Sequence, residues 1–403
     1  MRVHSISSLA VGALVALAGS AAPVMGDITT VAASPLSGFA IFSGGGVNFN
    51  SQGTGETAIG GHTTVTGDIG SNQDLRVVGG QTGSVTTQFN GSVYVGGYLD
   101  VGQPLTIGSP TLRASVVVNG VNVPAPPPGT IEAEIRGTIY GDLYTTGDVR
   151  LGNVSSVRQV GGLGGNVRYT GNYTAVSGAV VEGTALQVGS TTSFTTISMP
   201  AAMASWVGGA NQTVPSGSGS SLTVAPGTHG ALATSAQNQT VNLVSGTYRF
   251  DSITAQGDFT LRIDLTSGLP ISILALGDMT FGQSATLMVL GAGTGGNYVP
   301  ISAAQSLASL IYFETRSRFV MGGATSADPT IWGGTVYASL REDGGSQGEV
   351  DIGQHNNWYG AIYAFDSIDI ADHGTFTYVP LPTPGAGVLL ALGGAVVGRR
   401  RRA

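Results

Sequence analysis

The sequence predicts an all-β chain: a right-handed parallel β-solenoid (β-helix), in one body or two halves, with short signal helices at its termini. Three observations carry this. Runs of Val, Ile, Thr and Tyr alternate with polar residues at period two, which is a strand pattern. Gly-Asp or Gly-Asn steps recur behind such runs, each followed by an apolar residue, and mark tight turns. Finally, Trp332-Gly333-Gly334-Thr335-Val336-Tyr337-Ala338 returns as Trp358-Tyr359-Gly360-Ala361-Ile362-Tyr363-Ala364, 26 residues later. Self-similarity of that length suits stacked coils, in which one apolar position on successive turns builds a shared core. The alternative, a β-sandwich, would space strands by about 8–12 residues without such repeats.

Along the chain, residues 1–26 read as a secretory signal peptide. Met1-Arg2-Val3-His4 is a basic start, Leu9 to Ala18 is apolar and small, and small residues continue to Gly26. The apolar core is too short to span a membrane. Cleavage after Ala22 would leave Pro23 at the new terminus, so the expected cut lies between Gly26 and Asp27.

Strands are expected at Thr63–Thr66, Ser92–Val95, Thr138–Tyr140 and Phe259–Leu265, with short helices at Ala303–Ile311 and Ala201–Val207. The Gly-Asp/Asn steps are Gly67-Asp68, Gly141-Asp142, Gly147-Asp148, Gly165-Asn166, Gly257-Asp258 and Gly277-Asp278, the last two 20 residues apart. Pro124-Ala125-Pro126-Pro127-Pro128-Gly129 predicts an extended projecting loop. The Gly- and Ser-rich stretch 208–221 reads as a linker between an N-terminal solenoid region, 27–207, and a C-terminal one, 222–379.

Residues 380–403 form a second end signal. Pro380, Pro382 and Pro384 stop the ordered hydrogen-bond pattern. An apolar run from Gly385 to Gly398 follows, then Arg399, Arg400, Arg401 and Arg402. A helix of that run would be roughly 21 Å long, short of a hydrocarbon core of about 30 Å. The arginines hold the end on the cytoplasmic side. This layout resembles the PEP-CTERM sorting signal, with Pro382-Thr383-Pro384 (or Pro380-Leu381-Pro382) where the usual core is Pro-Glu-Pro. The resemblance implies export, transient inner-membrane anchoring and processing by an exosortase-like sorting protease after signal peptidase.

Two shorter resemblances concern the body. Ser37 to Gly44 and Thr63 to Gly70 resemble the opening of the ice-binding β-helix family. Trp358 to Ala364 resembles the coils of bacterial surface and pilus-associated solenoids, with Phe365 at a position where those carry proline.

Composition narrows the chemistry. Charged residues are 10% and glycine numbers 65 of 403, while hydrophobic residues reach 41%. That balance is the reverse of disorder. There is no cysteine and no lysine, which excludes thiolate, Schiff-base and lysine isopeptide chemistry. Between the end signals 11 arginines face 23 acidic residues, a net charge of −12. Nucleic acid is therefore not an expected partner.

Motif searches yield little. His62, His229, His355 and His373 form no His-x-x-x-His pair, although His355 and His373 can meet on neighbouring coils. Asp366, Asp369 and Asp372 do not share a strand face. The stretch Asp343 to Asp351 offers oxygen ligands for Ca²⁺ but reads as a solvated turn. Glu314, Arg316 and Arg318 are expected on one strand face as ion-paired residues. Threonine-rich strands are expected at Thr63–Thr66 and Thr191–Thr196, yet no Thr-x-Thr ladder repeats at coil period, and strand formation accounts for the threonines.

The expected role is thus an exported, non-enzymatic cell-surface or matrix protein without a cofactor or metal. An ice- or polysaccharide-binding module is the alternative, and a polysaccharide-active enzyme comes third. Exopolysaccharide is a further expected partner.

Overall fold

The computed structural model describes residues 35–45, 57–77, 87–102, 104–120, 131–339 and 348–381. Both end signals from Pro382 on and up to residue 34, and the proline-rich loop at 124–129, lie outside the described residues. So do Gly26, Asp27, Thr383, Pro384 and Arg399 to Arg402.

Alternation in the sequence becomes alternation in burial. Leu75–Val77, Val93–Val95, Leu99–Val101 and Val149–Leu151 each bury their outer two residues and leave the central one at least partly exposed. Such three-residue strands are too short to stand alone, but they stack in parallel. One sheet has 13 strands, and a second, 25-stranded sheet wraps two further faces. The result is a three-sided β-solenoid.

Glycine lets single strands turn the corner between two faces. Thr330–Ala338 and Asn356–Ala364 are nine residues long and bend at Gly334 (φ 107°) and Gly360 (φ 143°). A Cβ at Gly360 would also run into the Gly334 backbone of the coil below. This is the physical content of the repeated tryptophan motif. Its two copies pair residue for residue, Trp332 beside Trp358 and Val336 beside Ile362.

Inside, one column follows the axis: Phe313, Val336, Ile362, Ile41, Ile69, Val93, Val116, Leu143 and Val167 are successive neighbours. All are fully buried. Burying a side chain of this size contributes about 1.5–3 kcal/mol, so the column, with the backbone ladders, holds successive coils together.

The order of coils is not the order of the chain. In the 13-stranded sheet, Thr57–Ile59 lies beside Ile368–Ile370. From that seam the N-terminal half climbs to Tyr173–Ala175 at one end. The C-terminal half starts at the opposite end with Gln212–Thr213 and winds back to the seam. In space the sequence therefore reads 212–381 and then 35–187, and segment 188–211 returns along the outside. Part of the stretch expected as a linker is built into the fold: Gln212–Thr213 and Ser221 belong to strands.

The Gly-Asp/Asn steps act as staples between coils. Asp68 accepts the Ser92 N–H, Asp142 the Asn166 N–H and Asp148 the Asn172 N–H, each 24 residues on. Asp74 does the same for Tyr98. The 20-residue spacing of Gly257-Asp258 and Gly277-Asp278 is not the coil period, because there Ile253 stacks on Met279 and Leu261 on Leu287. Asp258 instead sits at a left-handed corner, φ 55°.

Two local expectations need correction. Ala201–Val207 and Thr191–Thr196 carry no regular structure, because their apolar side chains are spent covering a neighbouring face. The short helix expected at 303–311 is present in 3-10 form: Ile301–Ala303 and Gln305–Leu310 precede the strand Ile311–Thr315. Among the described residues no helix is long and apolar enough to cross a membrane.

Candidate functional site

The three faces differ in what they offer. The face formed by Phe39–Ser43, Ile311–Thr315 and the C-terminal parts of the tryptophan strands is covered by the return segment. Phe194, Ile197, Met199 and Trp206 pack over Phe39, Phe42, Tyr312, Tyr337 and Tyr363. Asn72 donates to the Ile197 carbonyl at 2.7 Å and accepts its N–H at 2.8 Å. Asn119 accepts the Phe194 N–H at 2.7 Å, and Tyr337 donates to the Pro200 carbonyl at 2.5 Å.

Under that cover lies Glu314, fully buried. It accepts the Met203 N–H at 2.9 Å and the Tyr312 hydroxyl at 2.8 Å. Burial outweighs these bonds and the nearby Arg316, and pushes its carboxyl up to about 7. Glu314, Arg316 and Arg318 do not share a face. The chain turns at Arg316-Ser317, and Arg318 starts the strand Arg318–Met321 on the 13-stranded sheet. There it pairs with Glu349 at 3.0 Å and with Asp351.

The 13-stranded face is charged at its centre. Arg76 and Asp100 pair at 3.4 Å, and Arg150 approaches Glu134 at 3.9 Å. Asp369 stands beside Asp351, while Asp366 is buried at a corner and Asp372 contributes its carbonyl to the His355 N–H. Asp343 lies outside the described residues. Among those described, no group of three or more His, Asp or Glu is disposed to hold a metal.

His355 and His373 do meet, ring centroids 4.7 Å apart, and His62 stacks on the other side of His373 at 4.8 Å. All three take positive φ at one corner of successive coils. That His62 joins this pair is not visible in the sequence, because the seam that brings the first coil onto the last has no local signature.

The remaining face lies free of the return segment. The 291–310 insertion reaches it at Gly333, under Ile301. Arg158, Arg262 and Asp264 stand on the strands beside its central column, and Glu182 pairs with Arg158 there. Its outward column runs Ser221, Thr240, Thr260, Thr286, Ile331, Asn357, Thr375, Thr64, Gln88, Thr106, Thr138, Ser156, Val180, each directly beside the next. Eleven of these thirteen positions are Thr, Ser, Asn or Gln, and none is ionisable, so the column is a line of neutral hydrogen-bonding groups. Neighbouring strands place them about 4.8 Å apart. At the seam the column doubles: Thr64 and Thr66 lie against Thr375 and Thr377. Residues two apart on a strand are roughly 6.6 Å apart, so four threonines form a small flat lattice. Threonine is stiff at χ1, and its backbone here is locked in a ladder.

The strand register puts a single threonine column in step with the coil, while Thr-x-Thr occurs on two adjacent coils, at Thr64–Thr66 and Thr375–Thr377. A sequence signal existed: Ser-Leu-Thr at 221, Thr-Val-Asn at 240, Thr-Leu-Arg at 260, Thr-Leu-Met at 286, Thr-Val-Thr at 64 and Thr-Phe-Thr at 375 share a hydroxyl-apolar-polar or hydroxyl-apolar-bulky pattern. Unequal coil lengths hid it. Leu75 to Leu99 spans one coil, as does Met279 to Phe319.

Among the described residues, Leu243, Phe250, Phe281 and Phe313 line an interior void with apolar side chains.

No protein-family model matches the chain, and no curated protein matches it. Among solved structures, the crystal structure of ice binding protein from an Antarctic bacterium Flavobacteriaceae aligns over 85% of this chain and 97% of that one, at 10% identity and a TM-score of 0.23. A likeness so weak carries no weight for function. The stretches 37–44 and 63–70 come together here as adjacent coils, Phe39–Ser43 pairing with Asp68–Ser71.

Proposed function

We propose that this chain is an exported, non-enzymatic β-solenoid whose hydroxyl-bearing face adheres to an ordered surface of water, an ice crystal. The observation that supports it most is the in-register column of Thr and Ser centred on Thr64, Thr66, Thr375 and Thr377. A flat array of neutral donors and acceptors at fixed spacing is pre-organised for a repeating partner, so little ordering entropy is lost on contact. Export rests on the N-terminal signal with its cut at Gly26-Asp27. Processing by a sorting protease rests on the Pro380–Pro384 motif and the arginine cluster, with the membrane as a transient partner. The absence of lysine and cysteine, and the burial of Glu314 under the return segment, favour adhesion over catalysis.

A second reading, exopolysaccharide binding, is favoured by Tyr140 and Tyr359. Both lie on the same face, two residues beyond Thr138 and Asn357, and are partly exposed. Aromatic rings at such positions suit stacking on sugar rings.

The test is thermal hysteresis and recrystallisation inhibition by the purified protein and by Thr64→Tyr/Thr375→Tyr. Activity in the parent that disappears in the variant, at unchanged melting temperature, is expected. A parent without either activity would refute the ice reading. Retention on insoluble polysaccharide, lost in Tyr140→Ala/Tyr359→Ala, would establish the second.

A further inference from the structure

Two coils of the solenoid have a neighbour on one side only. At one end these are Tyr173–Ala175, Val180–Val181 and Ala185–Gln187. At the other they are Gln212–Thr213, Ser221–Thr223 and Gly227–Thr228. A parallel strand without an outer partner exposes a row of unpaired N–H and C=O groups, ready to template another strand. Solenoids commonly blunt such ends with a polar capping coil or with charged side chains.

Among the described residues charged side chains are scarce at both ends, while the 212–228 coil is polar, with Gln212 stacked on the buried Leu232. Residues 208–230 contain no Asp, Glu, Lys or Arg. Residues 170–190 contain only Glu182, which pairs with Arg158 at 3.1 Å. Pro215 and Pro226 fall at corners, outside the strands. Side chains of the kind buried in every inner coil are left part open: Val181 and Leu222 face inward yet are only half-buried. Beside them Leu186 is 53% exposed and Val180 46%.

The molecule itself shows what fits such an edge. At the seam, a coil from one end of the sequence lies on a coil from the other end: Phe39–Ser43 beside Asn356–Ala364, Thr57–Ile59 beside Ile368–Ile370, and Thr64–Thr66 beside Thr375–Thr377. The contact is made by parallel backbone ladders and interior side chains, with no covalent continuity. Because both halves wind in one axial direction, the 173–187 end presents the same kind of edge that the 356–377 coil offers to the first coil. The 212–228 end presents the complementary edge.

We infer that a second copy of this chain docks head to tail, its 212–228 coil on the 173–187 coil of the first. Gln212–Thr213 of the next copy then lies beside Tyr173–Ala175, Ser221–Thr223 beside Val180–Val181, and Gly227–Thr228 beside Ala185–Gln187. Val181 meets Leu222 inside, and Val180 meets Ser221 outside. The two patches differ, so the interface is heterologous and does not close; copies add along the axis into a filament. The hydroxyl column continues across each junction. The assembly stands on the edges alone and does not depend on what the column binds.

The test uses the full chain, by sedimentation velocity at rising concentration and by negative-stain microscopy. A shift from monomer to dimers and longer rods of constant width is expected. Val181→Arg alone and Leu222→Arg alone should each be monomeric, with parental melting curves. Mixed together, they should give dimers and nothing longer, because only one junction per pair stays intact. Dimers of either variant alone, or a parent that stays monomeric throughout, would overturn the inference. A second measurement covers variants that fold poorly. Thr174→Cys/Thr213→Cys places thiols at opposite ends of a solenoid roughly 58 Å long, by about 4.8 Å per strand. A disulfide can then form only between copies, where adjacent strands are within bridging range. Oxidation should give a ladder of multimers, and a double variant that stays monomeric would refute head-to-tail docking.

Discussion

Tyr363 donates a hydrogen bond to the carbonyl of Phe39 at 2.9 Å, across 324 residues of chain. Nearby, Tyr378 donates to the carbonyl of Ser37, and Leu381 packs in the same cluster as Leu36 and Phe39. The two ends of the described chain are thus fastened at the middle of the solenoid, where the first and last coils meet. The first residues of the proline motif sit here too: Pro380 is exposed and Leu381 is tucked against the body.

The seam makes Ile362 a keystone, since it stacks between Val336 and Ile41. Ile362→Asp would lose about 1.5–3 kcal/mol of burial and leave an unpaired charge in an apolar column. We expect loss of the cooperative thermal transition by circular dichroism. Ile362→Val should cost only about 1 kcal/mol. An Ile362→Asp protein melting like the parent would show that this column does not hold the coils together.

Glu314 ties stability to pH. Burial raises its carboxyl from an ordinary 4.5 to about 7. Its contribution is therefore fully present below about 4.5, declines as the unfolded chain ionises, and is lost once pH passes about 7. Between pH 5 and pH 8 the urea midpoint should fall, by the equivalent of roughly 1–3 kcal/mol. In Glu314→Gln, which keeps an acceptor for Met203, the fall should be much smaller. Parallel pH curves for parent and variant would remove Glu314 as the cause.

The coil staples should differ in strength. The Asp142 side chain is 2% exposed; burial alone would raise its carboxyl, but bonds from Arg113 and Asn166 hold it below the usual range. Asp142→Ala strands the Asn166 N–H and should cost about 1–3 kcal/mol. Asp148→Ala, whose bonds are exposed, should cost under about 1 kcal/mol. Chemical denaturation of both variants checks the order, and equal losses would contradict it.

Processing is checked by intact-mass analysis of secreted material. The expected product begins at Asp27 and ends near Pro384. Secreted protein that still carries Arg399 to Arg402 would contradict cleavage at the sorting motif.

The sequence by itself determined the class of fold, because period-two alternation and glycine corners are local. Leu75–Val77 and Val93–Val95 bury alternate residues whatever lies beside them. It also determined one true register, Trp332 on Trp358, since those coils have equal strand lengths and no insertion inside the motif. It did not reveal the order of the coils. Nothing near Ile41 or Thr57 indicates that Ile362 and Ile368 will lie beside them, because strand pairing between distant coils depends on where the chain returns, and the return segment 188–211 has no strand pattern of its own. The hydroxyl column was hidden for the same reason. Thr64 and Thr375 belong to opposite ends of the chain, and coils of unequal length throw the other threonines out of any fixed sequence period. Stacking aligns residues by backbone hydrogen bonds and interior contacts, so loops of any length drop out at the corners. Only the folded solenoid puts those side chains in line.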